Sequence, residues 1–126
     1  MRRPTSIAEV SSWSNDSTAF WYNLMDFLDE FRRLRDAEML REEPAQLTDR
    51  FEFGRIADAY LAAVAVSLAR EIGVTPASWT STDARTLDRP WFAQPGAALR
   101  AMLIAESPAP FRERNLFVSA NALARA

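Results

Sequence analysis

The chain has 126 residues, 48% of them hydrophobic, which suits one domain that builds a core without covalent staples. It contains no Cys and no His, which excludes disulfides, thiolate nucleophiles, Cys- or His-ligated metals and imidazole general bases. All fifteen basic residues are Arg, so Schiff-base chemistry and a phosphate-loop lysine are excluded too, and the net charge of −2 gives none of the basic excess that nucleic-acid binding needs.

The charge is uneven along the chain. Residues 1–63 carry eight Arg against twelve acids, or −4, and residues 64–126 carry seven Arg against five acids, or +2. Residues 1–17 read as an arm and a short helix. Met1-Arg2-Arg3 is followed by Pro4 and polar residues, not by the apolar run of a signal peptide, so a cytoplasmic location is expected. Ser6 with Glu9 has the form of a capping box, which predicts a helix from Ile7 to about Trp13. Ser14-Asn15-Asp16-Ser17 then supplies cap and turn residues.

Residues 18–72 read as a long antiparallel helical hairpin. Its first arm is predicted from about Thr18 to Glu42, with Phe20, Leu24, Phe27, Leu28, Phe31 and Leu34 on one stripe, and Pro44 ends it. Asp49 with Glu52 is expected to cap the second arm. That arm, Phe53–Ile72, is the centre of the fold: Phe53, Ile56, Tyr60, Leu61, Val64 and Leu68 form one face, and Ala59, Ala62, Ala63 and Val66 form the other. A helix apolar nearly all round is buried, and small residues let a second helix approach closely. Asp58 and Ser67 interrupt it, so it does not read as a membrane span. Asp58 needs a partner, and Arg55 is the nearest candidate. Gly54 points to a late helix start or to tight packing, and Gly73 to a left-handed C-cap.

Residues 74–95 read as an irregular linker. Thr75-Pro76 predicts one helical turn over Pro76–Trp79, and Trp79, Leu87 and Trp91-Phe92 are its apolar anchors. Residues 96–126 read as short helices. One is predicted over Gly96–Glu106, with Leu99, Met102 and Leu103 inward and Ile104 at the margin. A second is predicted over Pro108–Asn115, exposing Arg112, Glu113 and Arg114. Leu116–Val118 is a buried connector, and Ser119 caps a last turn to Ala126. No strand pattern and no internal repeat are expected. The fold class is therefore all-α: a long helical hairpin with short C-terminal helices packed on it.

The side-chain clusters point away from catalysis. Asp26, Asp29 and Glu30 lie on one helix beside Arg33, and helical di-metal sites also require Glu-x-x-His pairs, so a self-paired solvated face is the better reading. Arg32, Arg33 and Arg35 alternate with acids, as exposed helix faces do. Ser107 and Ser119 sit where caps belong and have no base to activate them. The three Gly are far apart, so there is no phosphate loop.

The strings RPWF at Arg89–Phe92 and LRAMLIAESPAPFRERNLFV at Leu99–Val118 resemble a family of small, mostly uncharacterised bacterial all-helical proteins. FLDEF at Phe27–Phe31, DAYLAAVAVSLA at Asp58–Ala69 and PASW at Pro76–Trp79 are similar to the same family in the same order. Such proteins are often encoded beside a nucleotidyltransferase-like protein, an arrangement similar to a toxin–antitoxin pair. The resemblance implies a non-enzymatic partner-binding protein, the antitoxin or accessory half of such a pair, without a cofactor. It implies Arg89, Trp91, Phe92, Arg112, Arg114 and Asn115 as partner-contacting positions. The alternatives are a small DNA-binding transcriptional regulator, for which no helix-turn-helix signature is clear, and a carboxylate-dependent enzyme. Whether the chain forms a homo-oligomer is left open.

Overall fold

The computed structural model describes residues 2–124. It shows a mostly helical small domain with a two-strand parallel sheet. Its elements are α1 (Ile7–Ser12), α2 (Ser17–Leu34), α3 (Gly54–Glu71), β1 (Trp91–Phe92), α4 (Ala97–Glu106), α5 (Ala109–Arg112) and β2 (Leu116–Phe117). Three 3₁₀ turns, Ala37–Leu40, Ser78–Ser81 and Asp83–Arg85, lie in the connections.

The N-terminal caps form as the sequence dictates. Ser6 Oγ accepts the Glu9 N–H at 3.2 Å, and the Glu9 carboxylate reaches back to the Thr5 N–H at 2.9 Å. Asp16 Oδ1 caps α2 through the Ala19 N–H at 2.8 Å. α2 ends at Leu34, eight residues short of the predicted Glu42, because Arg35 turns left-handed at φ 49°. The chain then reaches α3 through residues 35–53, not through a brief turn, and no clear long hairpin is present among the described residues.

α3 is the hub. Thirteen of its 18 residues are buried, and it packs against α2, α5 and all three 3₁₀ turns. Its small residues let those thin elements lie close to its axis. Gly54 is the extreme case: a Cβ there would stand 1.7 Å from the Leu47 carbonyl oxygen. The predicted cap by Asp49 and Glu52 does not form; Phe53 is the N-cap position and has no side-chain cap bond. At the other end Gly73 adopts φ 75°, and the Val74 N–H closes on the Ala69 carbonyl at 2.9 Å, the six-to-one bond of a Schellman end.

The buried Asp58 is not paired with Arg55. Its carboxylate accepts the Leu47 N–H at 2.7 Å, the Thr48 N–H at 3.1 Å and the Thr48 hydroxyl at 2.6 Å. Arg85 Nη1 lies 3.7 Å from Asp58 Oδ1. Both side chains are fully buried. Arg85 also donates to the Asp58 and Pro44 carbonyls at 3.3 and 2.6 Å and to the Glu43 carboxylate at 3.1 Å, and its guanidinium lies 4.9 Å from the Trp79 ring centre. Arg55 points elsewhere, donating to the Ala84 carbonyl at 2.7 Å and to the Thr86 carbonyl. The connections before and after α3 are thereby both clipped to it by polar side chains.

The last third departs furthest from an all-α reading. β1 and β2 pair in parallel, with Trp91 opposite Leu116 and Phe92 opposite Phe117, and the Phe92 and Phe117 rings stack at 5.1 Å. Two-residue strands carry no alternation to read, so no sequence pattern announces them. The turn predicted over Pro76–Trp79 forms as Ser78–Ser81, and Trp79 and Leu87 are buried as expected. α5 is shorter than expected, ending at Arg112, and Arg114 is buried instead of exposed. Ser107 ends α4; its hydroxyl donates to the Leu116 carbonyl at 2.9 Å and accepts the Val118 N–H at 3.3 Å. The turn expected at the C-terminus begins with Ala122 N–H bonded to the Ser119 carbonyl, and the last two residues of that prediction lie outside the described ones.

Removing one partner of a buried ion pair leaves an uncompensated charge, which costs about 3–5 kcal/mol. Asp58→Ala should therefore lower unfolding free energy by about that amount in urea titration, well beyond an exposed control such as Asp49→Ala. Gly54→Ala, favoured by helix propensity, should instead destabilise by roughly 1–3 kcal/mol because its methyl group meets backbone.

Candidate functional site

Four aromatic side chains from three elements meet in a closed circuit. Trp21 of α2 lies 5.5 Å from Phe53 and 5.0 Å from Tyr60 of α3, between ring centres. Trp91 of β1 completes it, 5.8 Å from Phe53 and 6.5 Å from Tyr60. Trp21 meets Tyr60, and Trp91 meets both Phe53 and Tyr60, edge to face, the arrangement favoured by the ring quadrupoles. Phe111 of α5 backs Tyr60 at 5.1 Å. Periodicity places Trp21 and Tyr60 each on a core-facing helix edge, and the parallel pairing of β1 with β2 fixes Trp91 against them.

These four rings line one wall of a cavity of about 390 Å³. Ala93, Gln94, Leu103, Val118, Ser119 and Ala122 line the rest, and none of these lining residues is charged among the described residues. The volume falls in the range of small-molecule sites, about 300–1,000 Å³. Tyr60 is only 5% exposed; among the described residues the buried polar side-chain atoms left without a partner are Arg85 Nε and Arg114 Nε, not its hydroxyl. Burial pushes that hydroxyl up to about 12, so it is a neutral O–H donor at ordinary pH.

Beside this cavity, α4 presents an inverted surface. Only Leu103 of its ten residues is buried; Leu99, Met102 and Ile104, expected inward or at the margin, are 39%, 47% and 50% exposed. Its two charged residues are exposed as well, each with one surface contact to a neighbouring segment. The Arg100 guanidinium lies 5.1 Å from the Phe92 ring centre, and Glu106 accepts the Ala120 N–H at 3.3 Å. The helical period places Ala98, Ala101 and Ala105 opposite Leu103, so the solvent side of the helix is apolar.

The six positions implied by the resemblance divide between surface and interior. Arg89 is exposed, and so is Arg112, although its Nη1 donates to the Ser107 carbonyl at 2.9 Å. Trp91 and Phe92 are half-buried, one in the aromatic circuit and one between Phe117 and Arg100. Arg114 is buried and committed, donating to the Pro110 and Thr80 carbonyls, both at 2.8 Å, and burial pushes its guanidinium below the usual value. Asn115 sits left-handed at φ 63°; its side-chain amide donates to the Leu87 carbonyl at 2.7 Å and its own carbonyl accepts the Trp91 N–H at 2.8 Å. Trp91, Phe92, Arg114 and Asn115 thus belong to one small assembly, while Arg89 and Arg112 stand outside its hydrogen-bonded centre. Among the charged residues of α2, Glu30 is buried and pairs with Arg33 at 2.7 Å and Arg3 at 3.5 Å. Periodicity alone would have found Trp21, Phe53 and Tyr60, but nothing in the sequence joins them to Trp91 and Leu103 in one cavity.

No family model matches this chain, and neither a curated protein nor a solved structure shows significant similarity to it. No helix among the described residues is long and apolar enough to cross a membrane.

The Tyr60 shift carries a pH signature. Its hydroxyl ionises near 10 in the unfolded chain and about 12 in the folded one. The contribution is therefore intact below pH about 10 and is lost as pH rises toward about 12, where the unfolded state has released its proton and the folded state has not. A shift of this size corresponds to roughly 2–3 kcal/mol. Unfolding titrations between pH 9 and pH 12 should show a decline that is markedly shallower in Tyr60→Phe.

Proposed function

We propose that this protein is a non-enzymatic binding partner, the antitoxin or accessory half of a toxin–antitoxin-like pair, acting on a nucleotidyltransferase-like protein in the cytoplasm. The observation that carries the reading is the inverted α4. A surface helix ordinarily turns its charges to water and its apolar stripe to the core. Here Leu103 is the one buried residue of the helix, and Leu99, Met102, Ile104 and the alanines are exposed alongside Arg100 and Glu106, each of which leans on a neighbouring segment. Contiguous exposed apolar surface of this kind marks interaction sites. The complementary surface on the partner is an apolar groove or helix face, which the small side chains Ala98, Ala101 and Ala105 allow to approach closely.

Phe92, beneath Arg100, and Arg112, bonded to the Ser107 carbonyl at the end of α4, adjoin this surface as its aromatic and polar rim. This is in keeping with the enrichment of Arg and aromatic residues at hot spots, and exposed Arg89 joins them in the proposed contact set. Arg114 and Asn115 serve the same surface indirectly, by fixing β1 and β2 beneath it. The missing imidazole, thiol and amine groups fit a protein that grips another macromolecule better than one that turns over a substrate. A DNA-binding regulator is the weaker reading, because the charge is nearly balanced and the outward helix carries no basic face.

Co-expression with the product of the adjacent gene, followed by size-exclusion chromatography, tests the proposal. A single co-eluting peak is expected at micromolar concentration; two separate peaks would remove it. Met102→Asp with Ile104→Asp should weaken the complex at least tenfold, about 1.4 kcal/mol or more, while leaving the thermal midpoint within a few degrees, since both side chains are already solvent-facing. Arg112→Ala asks separately whether the rim contributes, and an unchanged affinity would remove that position from the interface.

A further inference from the structure

A second surface, separate from α4, lies where the start of α2 meets the start of α3. Asp16, Ser17, Phe51, Glu52, Phe53 and Ile56 line a groove of about 610 Å³ there. Its apolar wall is preformed. The Phe53 ring lies 6.2, 5.5 and 5.8 Å from those of Phe20, Trp21 and Trp91, between centres, and half-buried Phe51 packs against the core. Its two acids are exposed, and arginine neutralises neither among the described residues. Elsewhere Glu9, Glu30, Glu38, Glu43 and Glu71 each meet an arginine. Glu52 makes no ion pair or hydrogen bond among the described residues, and the Asp16 carboxylate makes one bond, from Oδ1 to the Ala19 N–H. The arginines nearest to Glu52 in sequence do not intervene. Arg50 pairs with neither acid among the described residues, and Arg55 is spent on the Ala84 and Thr86 carbonyls.

We infer that this groove docks an arginine-bearing apolar segment of a partner protein, its guanidinium against the Phe51 and Phe53 rings and its charge met by Asp16 and Glu52. Charge complementarity selects the occupant. Two carboxylates without a cation repel an anion. A hydrated metal ion would exchange water for a lining that is half apolar, Phe51, Phe53 and Ile56. A guanidinium is weakly hydrated, stacks on aromatic faces and carries an apolar stem that suits such a wall. The surface also continues beyond one side chain. Trp21, packed on Phe53, borders an adjoining hollow with Thr18, Met25 and Tyr22, and Tyr22 is 71% exposed. Apolar residues flanking the arginine would be covered there, which favours a chain segment over a free cation.

The acetylated and amidated peptide Leu-Arg-Leu tests this on the full chain at neutral pH and low salt, read by amide NMR shifts. The same peptide with citrulline, which keeps the shape of arginine and removes its charge, is the comparison. The arginine peptide should saturate below about 10 mM, about fivefold more tightly than the citrulline peptide, with the largest shifts at Phe51, Glu52, Phe53 and Ile56. Its affinity should fall about threefold at high salt. Asp16→Asn with Glu52→Gln should remove the preference for arginine, and Asn still caps a helix, so the fold is retained. Glu42→Gln, at an exposed acid outside the groove, should leave the preference unchanged. No saturation, equal binding of the two peptides, a preference that survives the double variant or is lost in Glu42→Gln, or shifts centred elsewhere would each overturn the assignment. Capped arginine alone binding as tightly as the peptide would replace the segment by a free cation. Salt-sensitive self-association lost in the double variant would replace the partner by a second copy of this chain. The comparison of arginine with citrulline on the unaltered protein decides the matter even if a variant does not fold.

Discussion

A single carboxylate holds the architecture together. Asp58 sits in the middle of an alanine-rich helix with no exposure to solvent, where an ionised group is costly unless it is fully matched. It is matched by chain segments distant in sequence. The N–H groups of Leu47 and Thr48 close on it from the connection before α3, and Arg85 approaches it from the connection after. Neither connection contains an α-helix or a strand of its own up to β1, so neither could hold its path by internal hydrogen bonds alone. The carboxylate gives both a fixed point on the one element rigid enough to serve as a frame. The small side chains around it then follow: only with Gly54, Ala57, Ala59 and Ala62 on α3 can backbone and side chains come near enough to reach it.

Arginine repeats this device toward the C-terminus. Arg55, Arg85 and Arg114 all spend guanidinium N–H groups on backbone carbonyls of irregular segments. The planar fork of five donors suits that task better than an ammonium would, because one side chain can collect several carbonyls at once. The two-residue strands are too short to stabilise themselves. They are kept in register by Asn115, Ser107 and the Phe92–Phe117 stack, which together place Trp91 in the aromatic circuit. The polar residues of this third of the chain are therefore largely scaffolding, and the cavity and the outward helix are what the scaffolding presents.

Much of this was legible in the sequence where periodicity or a cap carries the information. The Ser6 and Asp16 starts, the burial of the stripe from Phe20 to Phe31, the central place of α3 and the left-handed turn at Gly73 all follow from local rules. Local rules failed where a distant contact outbid them. Arg55 was the nearest cation to Asp58, but a guanidinium three residues away on the same helix cannot also meet the carbonyls of Ala84 and Thr86, and Arg85 arrives from elsewhere to take the carboxylate's side. α2 stopped at Leu34 because Arg35 adopts a left-handed turn that no propensity favours for arginine. The parallel strands escaped notice because a pairing of two residues has no period.

The error at α4 has a different origin. Periodicity states which residues share a helix face; it does not state which face meets the body. Leu99, Met102 and Leu103 form a respectable inward stripe on paper, and in isolation the helix would be turned that way. Two surface contacts accompany the orientation that forms. Arg100 finds the Phe92 ring and Glu106 finds a free N–H at Ala120, and with both flanks anchored only Leu103 remains directed inward. The body beneath is small, because β1 and β2 offer four residues in all, so there is no second layer of core for Met102 or Ile104 to enter. An apolar helix in that position gains little from its own domain beyond Leu103.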